Sequence, residues 1–289
     1  MTDSEMKIIG IDFTSRPSQR KPITAIEGRL DGDRLRIGTL LTWYEFGAFE
    51  TTLASPGPWI AGIDFPFGQA RRFIENIGWP RTWCGYVDHV ATLTRQEFRS
   101  LLDDYRRDRA PGDKEHRRAT DIATGAISPQ KLYGTPVGLM FFEGAPRLRQ
   151  SGVTIPLLQQ GDPERIAVEA YPGMLARQLI GRQTYKQDTP AKQTTEQGQA
   201  RAALLERLTS GRTDGPYGLE VDVDADNGQR MIDDPSGDLL DALMCATQAA
   251  RAWRLRGTGY GAADDVDPLE GWIAAPYNLR IRQRATGEI

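Results

Sequence analysis

Cysteine and histidine are nearly absent from this chain, with two of each among 289 residues. Cys84 and Cys245 form neither a disulfide framework nor a metal-ligand spacing, and this usage fits a reducing cytosol. With His89 and His116 as the only histidines, no Ser-His-Asp triad is apparent. We therefore expect a cytoplasmic protein whose chemistry, if it has any, depends on carboxylates.

Long hydrophobic runs are also missing. No stretch approaches the ~18 apolar residues that span a bilayer, and the first residues, MTDSEMK, lack the features of a signal peptide. We therefore expect no membrane association. Without repeats or a clear linker, we predict a single domain over residues 1–289, with an insertion at roughly 66–160.

Strong net charge is absent as well, since the total is −3. The charge is uneven along the chain, however. Residues 147–212 carry a net of +4 and residues 213–289 a net of −7. A basic middle beside an acidic end fits a polyanion groove next to a metal site, but on charge alone two solvated faces are the plainer explanation.

Three short apolar runs predict buried strands, and they cover residues 7–13 (KIIGIDF), 59–64 (WIAGID) and 165–171 (RIAVEAY). Two further strands, 22–29 and 34–43, flank the turn sequence Asp-Gly-Asp and predict a hairpin. A strong helix is predicted from residue 238 to about 256.

The tetrapeptide Gly-Ile-Asp-Phe ends two of these strands, at residues 10–13 and 62–65. Alternate side chains of a strand share a face, so Gly10 lies on the face of Asp12, and Gly62 on that of Asp64. If the two strands are parallel neighbours, their carboxylates lie about 5 Å apart at the carboxyl ends of the strands, where sites of open α/β sheets occur.

The third strand repeats this pattern, because Ala167 precedes Glu169 by two residues. All three acids thus follow a small residue on their own face. We predict that the helix after Gly237 packs closely over Gly10, Gly62 and Ala167, just below the acids.

That helix also begins with acids. Asp238 and Asp241 are three residues apart and can face one point. An aspartate at a helix start also caps free N–H groups, and capping alone would account for Asp238. It explains Asp241 poorly, because this residue lies further into the helix.

Carboxylates gathered at one point repel one another, so they either take up protons or bind a cation. Oxygen-only ligation suits Mg²⁺ or Mn²⁺, which can promote phosphodiester cleavage without a Ser-His-Asp triad. The sequence therefore predicts a divalent-metal site.

Five stretches, taken in order, resemble the predicted RNase H-like nucleases of domain of unknown function 429. They are GIDFTS (10–15), GIDFPFG (62–68), VEAYPGML (168–175), DLLDALMCATQAA (238–250) and EGWIAAP (270–276). The D-x-x-D-A-L pattern is also similar to the last helix of Holliday-junction resolvases, which supplies metal-binding acids.

The resemblance implies an α/β fold with an RNase H-like mixed five-stranded sheet, order 3-2-1-4-5, flanked by helices, with a large and mainly helical insertion after strand 4. It makes strands 1 and 4 parallel neighbours. It implies a metal site whose ligands are Asp12, Asp64, Asp238, Asp241 and Glu169.

Further polar residues are candidates for substrate binding, each with a plainer alternative. Thr14 and Ser15 could hold a phosphate or be turn hydroxyls. Arg16, Arg20 and Lys21 could meet a phosphate backbone or lie in a solvated loop. Arg118 and Lys131 belong to a polar stretch that suggests an active-site lid or an ordinary surface. Tyr185, Lys186 and Lys192 could stack a base and pair with a phosphate, or belong to an exposed polar segment.

The leading hypothesis is a metal-dependent nuclease, a hydrolase acting on nucleic acid or nucleotides. Its catalytic residues would be Asp12, Asp64, Glu169 and Asp241, with Glu169 binding a second ion or acting as general base. One alternative is a nucleotide-dependent phosphotransferase of the actin-like type, although such proteins need glycine-rich phosphate turns that GIDFTSRPS lacks. Another is a non-catalytic, metal-stabilised binding module. DNA or RNA, endo- or exonucleolytic action and oligomeric state stay open.

Overall fold

A computed structural model describes residues 5–210 and 217–275. Within these ranges the chain forms a mixed α/β fold in which a seven-stranded sheet is flanked by helices. The strands are β1 Met6–Asp12, β2 Ile23–Asp31, β3 Arg34–Trp43, β4 Trp59–Ile63, β5 Val153–Thr154, β6 Asp162–Glu169 and β7 Glu220–Asp222.

Ten α-helices accompany the sheet in the described ranges. They are α1 Phe46–Ala54, α2 Arg71–Asn76, α3 Trp83–Val90, α4 Arg95–Arg107, α5 Ala119–Thr124, α6 Val137–Ser151, α7 Pro172–Ile180, α8 Thr195–Thr209, α9 Ala225–Asp233 and α10 Asp238–Arg254. Helices α2 to α6 all lie between β4 and β5, so the chain between these strands is mainly helical.

The strands lie in the order β5-β6-β4-β1-β2-β3-β7. The pairs β1–β2 and β2–β3 are antiparallel, and the other four pairs are parallel. The three predicted buried strands and the hairpin turning at residues 31–34 are confirmed. The sheet is larger than the five strands expected, because β5 and β7 extend its two edges with two and three residues.

The segment around residue 273 joins the sheet through a single bridge. Ile273 forms an isolated parallel bridge with Glu169, and the Ala274 N–H donates to the Glu169 carbonyl at 2.8 Å. The side chain of Gln248 on α10 donates to the Ala274 carbonyl at 2.6 Å. This segment therefore joins the end of β6 to α10.

Each face of the sheet has its own hydrophobic core. Ile9 and Ile11 of β1 belong to the core formed with α1, α3, α4 and α6. Ile8 belongs to the other core, which is formed with α7, α8, α9 and α10. Because side chains alternate along a strand, Gly10 and Asp12 share the face of Ile8 and turn toward α10.

Helix α10 approaches the sheet closely at two glycines, as predicted. A Cβ placed at Gly10 would lie 2.0 Å from the Ala242 carbonyl oxygen, and one at Gly62 would lie 2.3 Å from that of Cys245. No side chain larger than hydrogen fits at either position. This contact brings the first turn of α10 to the ends of β1 and β4.

The prediction that Ala167 lies beneath the same helix is wrong. In the register of β4 with β6, Gly62 pairs with Val168, and Ala61 pairs with Ala167. Val168 therefore lies in the core with α10, whereas Ala167 lies in the core on the opposite face. A shift of one residue in register exchanges every side chain between faces, and the position of small residues in the sequence does not determine register.

Candidate metal centre

Asp12 and Asp64 meet where two parallel strands end. β1 and β4 pair with Gly10 opposite Gly62, so the two Gly-Ile-Asp sequences lie side by side. The Asp64 N–H donates to the Ile11 carbonyl at 2.9 Å, which continues the strand pairing to the acid itself. Asp12 is buried and Asp64 is half-buried.

Asp241 reaches the same point from α10. Gly237 precedes the helix with φ 73°, a left-handed conformation that glycine adopts readily, and directs the chain into α10. The side chain of Asp241, in the first turn, is only 1% exposed. One carboxylate oxygen from each of Asp12, Asp64 and Asp241 lies within 4.8 Å of the other two.

These carboxylates are costly to keep charged. Burial raises the pKa of Asp12 well above its usual value, and the nearby charge of Asp238 raises it further. Burial likewise raises the pKa of Asp64 to about 7, although Lys186 acts in the opposite direction. A bound cation would remove this cost, and an all-oxygen donor set suits Mg²⁺ or Mn²⁺. The residues present therefore fit a divalent ion.

Both oxygens of Asp241 have partners in the protein. The Tyr185 hydroxyl donates to Oδ1 at 2.6 Å, and the ammonium group of Lys186 pairs with Oδ2. Lys186 was predicted as a substrate-binding residue, and in this structure its charge is directed at the carboxylate cluster.

Asp238 lies beside the cluster but is not one of the three acids that converge. Its carboxylate accepts from Lys21 Nζ at 2.9 and 3.1 Å. It makes no capping bond, because the N–H of Leu239 in the first turn donates instead to Asp234 at 3.0 Å. Asp234 was missed at the sequence level, although an aspartate before Pro-Ser-Gly is a typical turn residue whose side chain binds nearby N–H groups.

Glu169 turns away from the cluster. It pairs with Ile63 in the β4–β6 register and therefore faces the side of the sheet opposite Gly62. Its Oε1 accepts from Arg118 at 2.5 Å, and its Oε2 accepts from Arg118 at 2.7 Å and from the Phe67 N–H at 2.8 Å. Both oxygens of Glu169 thus accept hydrogen bonds from protein groups. This environment differs from the metal-facing position that was predicted.

Arg118 is buried rather than open to a substrate. Its side chain is 1% exposed and binds Asp121 at 2.7 Å as well as Glu169. The network continues through Glu270, whose side chain accepts from the backbone N–H groups of Arg71 at 2.8 Å and Ala119 at 2.9 Å. No sequence spacing links Arg118 to Glu169, 51 residues away, so only the fold reveals this partnership.

A cleft of about 1010 Å³ opens over the cluster. Its walls include Asp12, Asp64, Asp238 and Asp241, and its cationic lining residues are Arg20, Lys21, Lys186 and Arg230. Many of the remaining lining side chains carry hydroxyl groups, namely Thr14, Ser15, Ser18, Thr24, Thr42, Thr135, Thr189 and Ser236. The cleft is therefore polar and contains charges of both signs.

The other predicted substrate residues have varied positions. Thr14 is half-buried in the cleft wall, and Ser15 is buried, with its hydroxyl accepting from Arg95 at 3.2 Å. Arg16 is exposed, and Lys131 lies 5.1 Å from the centre of the Tyr133 ring; neither lines the cleft. Arg20 and Lys21, which were predicted together with Arg16, do line it.

The fold and this site define a mixed α/β protein with a carboxylate cluster at the base of a polar cleft. The chain matches the family model described as "Protein of unknown function (DUF429)" over residues 10–266, and it belongs to that family. None of the curated proteins or solved structures compared with the chain is a match. In the described ranges, no helix has the length and apolar character needed to cross a membrane.

Proposed function

We propose that this protein is a cytoplasmic, divalent-metal-dependent phosphodiesterase that cleaves nucleic acid or nucleotides on an RNase H-like core. One observation carries the proposal: carboxylates from β1, β4 and α10 converge within 4.8 Å at the base of a polar cleft. Three carboxylates this close together, two of them buried, are unfavourable unless they hold protons or a cation. The two cysteines, both free, are consistent with a reducing compartment.

The sheet supports the RNase H-like part of the proposal. Its five central strands, β3-β2-β1-β4-β6, follow the order 3-2-1-4-5 when they are numbered along the chain without the short β5. β1 is antiparallel to β2 and parallel to β4. The acids of β1 and β4 lie at the carboxyl ends of neighbouring parallel strands, where sites form in open α/β sheets.

In this proposal, Asp12, Asp64 and Asp241 hold the ion. When bound, Mg²⁺ or Mn²⁺ supplies positive charge that stabilises phosphodiester cleavage and activates water. Tyr185 fixes the orientation of Asp241 through its 2.6 Å hydrogen bond. Asp238 stays with Lys21 at the edge of the site and acts on the cluster through its charge.

The cleft walls supply the groups that a phosphate ester needs. Arg20 and Lys21 place cations in the cleft walls, and Thr14 adds a hydroxyl group. These groups recognise phosphate and sugar oxygens, which gives affinity without base specificity. A cleft of about 1010 Å³ suits a short nucleotide segment.

Cleavage of a panel of single-stranded and structured nucleic acids, with Mn²⁺ or Mg²⁺ and with a chelator, tests the proposal. The wild type is expected to cleave at least one substrate only when metal is present. Asp12→Asn should reduce the rate at least roughly a hundredfold, because a charged ligand is lost.

Asp226→Asn is the matched control, since Asp226 is an exposed aspartate in α9 and does not line the cleft. It should cleave as the wild type does. Equal activity of Asp12→Asn and wild type would reject the assignment, and so would the absence of metal-dependent cleavage.

A further inference from the structure

The ammonium group of Lys186 lies at the carboxylate cluster that would hold the metal ion. Its ammonium group pairs with Oδ2, while Oδ1 accepts from Tyr185 at 2.6 Å. Each oxygen keeps a lone pair for an ion, but the ammonium charge of Lys186 faces Asp12 and Asp64 as well as Asp241. A divalent cation therefore enters the cluster against this charge.

Of the two partners, Lys186 is the easier to release. Its side chain is 41% exposed, whereas Tyr185 is buried. Lysine carries a flexible four-carbon stem that can turn into the cleft without moving the backbone. A divalent ion and an ammonium group also repel each other at this short range, so release of the ammonium group favours binding of the ion.

The backbone around Lys186 is fixed on both sides. The carbonyl of Tyr185 accepts from Arg201 at 3.0 Å, and the N–H of Gln187 donates to the Pro235 carbonyl at 2.8 Å. The side chain of Lys186 therefore stays beside the site whichever way it turns. Lys186 also lines the cleft, so the position to which it turns is part of the same site.

We propose that Lys186 is a tethered counter-ion that exchanges with the metal. In the metal-free protein its ammonium group neutralises part of the carboxylate cluster. When the ion binds, the ammonium group leaves Asp241 and turns into the cleft, where it adds positive charge for an anionic ligand. Metal loading and the charge of the cleft are thus coupled. This inference rests on the metal site in the proposed function.

The first test compares Mn²⁺ binding to chelator-treated wild type, Lys186→Met and Lys192→Met by calorimetry. Lys192 is exposed and lies six residues further along the same connection between α7 and α8. Lys186→Met should bind Mn²⁺ about tenfold more tightly or better, because the competing cation is gone. Lys192→Met should match the wild type. Unchanged or weaker binding by Lys186→Met would overturn the proposal.

The second test uses the wild type only, so it does not depend on the folding of a variant. Surface amines are acylated briefly with and without saturating Mg²⁺, and the modification of each lysine is measured by mass spectrometry. Modification of Lys186 should rise several-fold with Mg²⁺, because the ion pair that protects it is broken, while that of Lys192 should not change. A rate at Lys186 that is unchanged or lower with Mg²⁺ contradicts the exchange.

The outcomes separate this inference from the proposed function. Metal binding without release of Lys186 rejects the exchange and leaves the nuclease proposal standing. Metal binding with release of Lys186, but without cleavage of any phosphodiester, supports the exchange and rejects the nuclease. Absence of metal binding rejects both.

Discussion

Gly10 of β1 and Ala246 of α10 are in direct contact. A Cβ added at Gly10 would lie 2.7 Å from the Cβ of Ala246 and 2.4 Å from its backbone nitrogen. This contact sets the distance between the helix and the sheet just below the carboxylates. The position of Asp241 relative to Asp12 therefore depends on the absence of a side chain two residues before Asp12.

Gly10→Ala is expected to destabilise the protein by about 3 kcal/mol or more, because a methyl group would meet backbone atoms that cannot move aside. Urea unfolding measures the change. Gly38→Ala in β3 is the control, since its added Cβ would lie 3.5 Å from the nearest atom, an ordinary contact. A similar small loss in both variants would show that the approach of α10 is not tight.

Arg118→Met is expected to lower the free energy of unfolding by about 3–5 kcal/mol, because it leaves two buried carboxylates without their cation. Arg107→Met is the control. Arg107 pairs with Asp104 three residues away, as Arg118 does with Asp121, but the two side chains are 67% and 60% exposed. That pair should contribute less than about 1 kcal/mol. Equal losses in the two variants would contradict a structural role for the buried network.

Local sequence was sufficient for the part of the site that belongs to β1 and β4. The repeated Gly-Ile-Asp places a glycine and an acid on one face of each strand, and any parallel pairing in this register brings the acids together. The glycines that precede these acids indicated the close approach of the last helix. These relationships depend on the periodicity of single elements, which the sequence carries directly.

The environment of Glu169 could not be predicted in the same way. The sequence pattern of β6 matches that of the other two strands, but its register places Val168, not Ala167, on the face of α10. Its partner Arg118 comes from a distant helical segment. Short edge strands such as β7 escaped prediction because Glu-Val-Asp has no apolar run, and its pairing comes from contact with β3.

Glu169→Gln and Asp64→Asn are expected to differ in their effects on metal affinity. Asp64 is one of the three converging acids, so its amide variant should bind Mn²⁺ at least roughly tenfold more weakly. Glu169 faces Arg118 on the other side of the sheet, so its amide variant should lose stability but keep Mn²⁺ affinity within about threefold of the wild type. Calorimetric titration measures the Mn²⁺ affinity of both variants. Equal weakening of that affinity would indicate that Glu169 is a metal ligand after all.

The stability of the metal-free protein is expected to depend on pH through Asp64. Folding raises the pKa of this carboxyl from 3.8 to about 7, chiefly because of burial. The folded state then keeps a proton that the unfolded chain releases between about pH 4 and pH 7. This group therefore makes the free energy of unfolding fall as the pH rises through that window, and the loss levels off above it.

Urea unfolding from pH 4.5 to pH 8 in the presence of a chelator, for wild type and Asp64→Asn, measures this contribution as the difference between the two curves. The amide has no proton to lose, so the variant should be less sensitive to pH and should gain on the wild type as the pH rises. With saturating Mn²⁺, the free energy of unfolding of the wild type alone should rise with pH instead of falling. The ion binds the deprotonated carboxylates, so its stabilising effect grows with pH. Parallel curves for the two proteins would mean that Asp64 titrates as an ordinary exposed acid, which would remove the electrostatic reason for expecting a cation at this cluster.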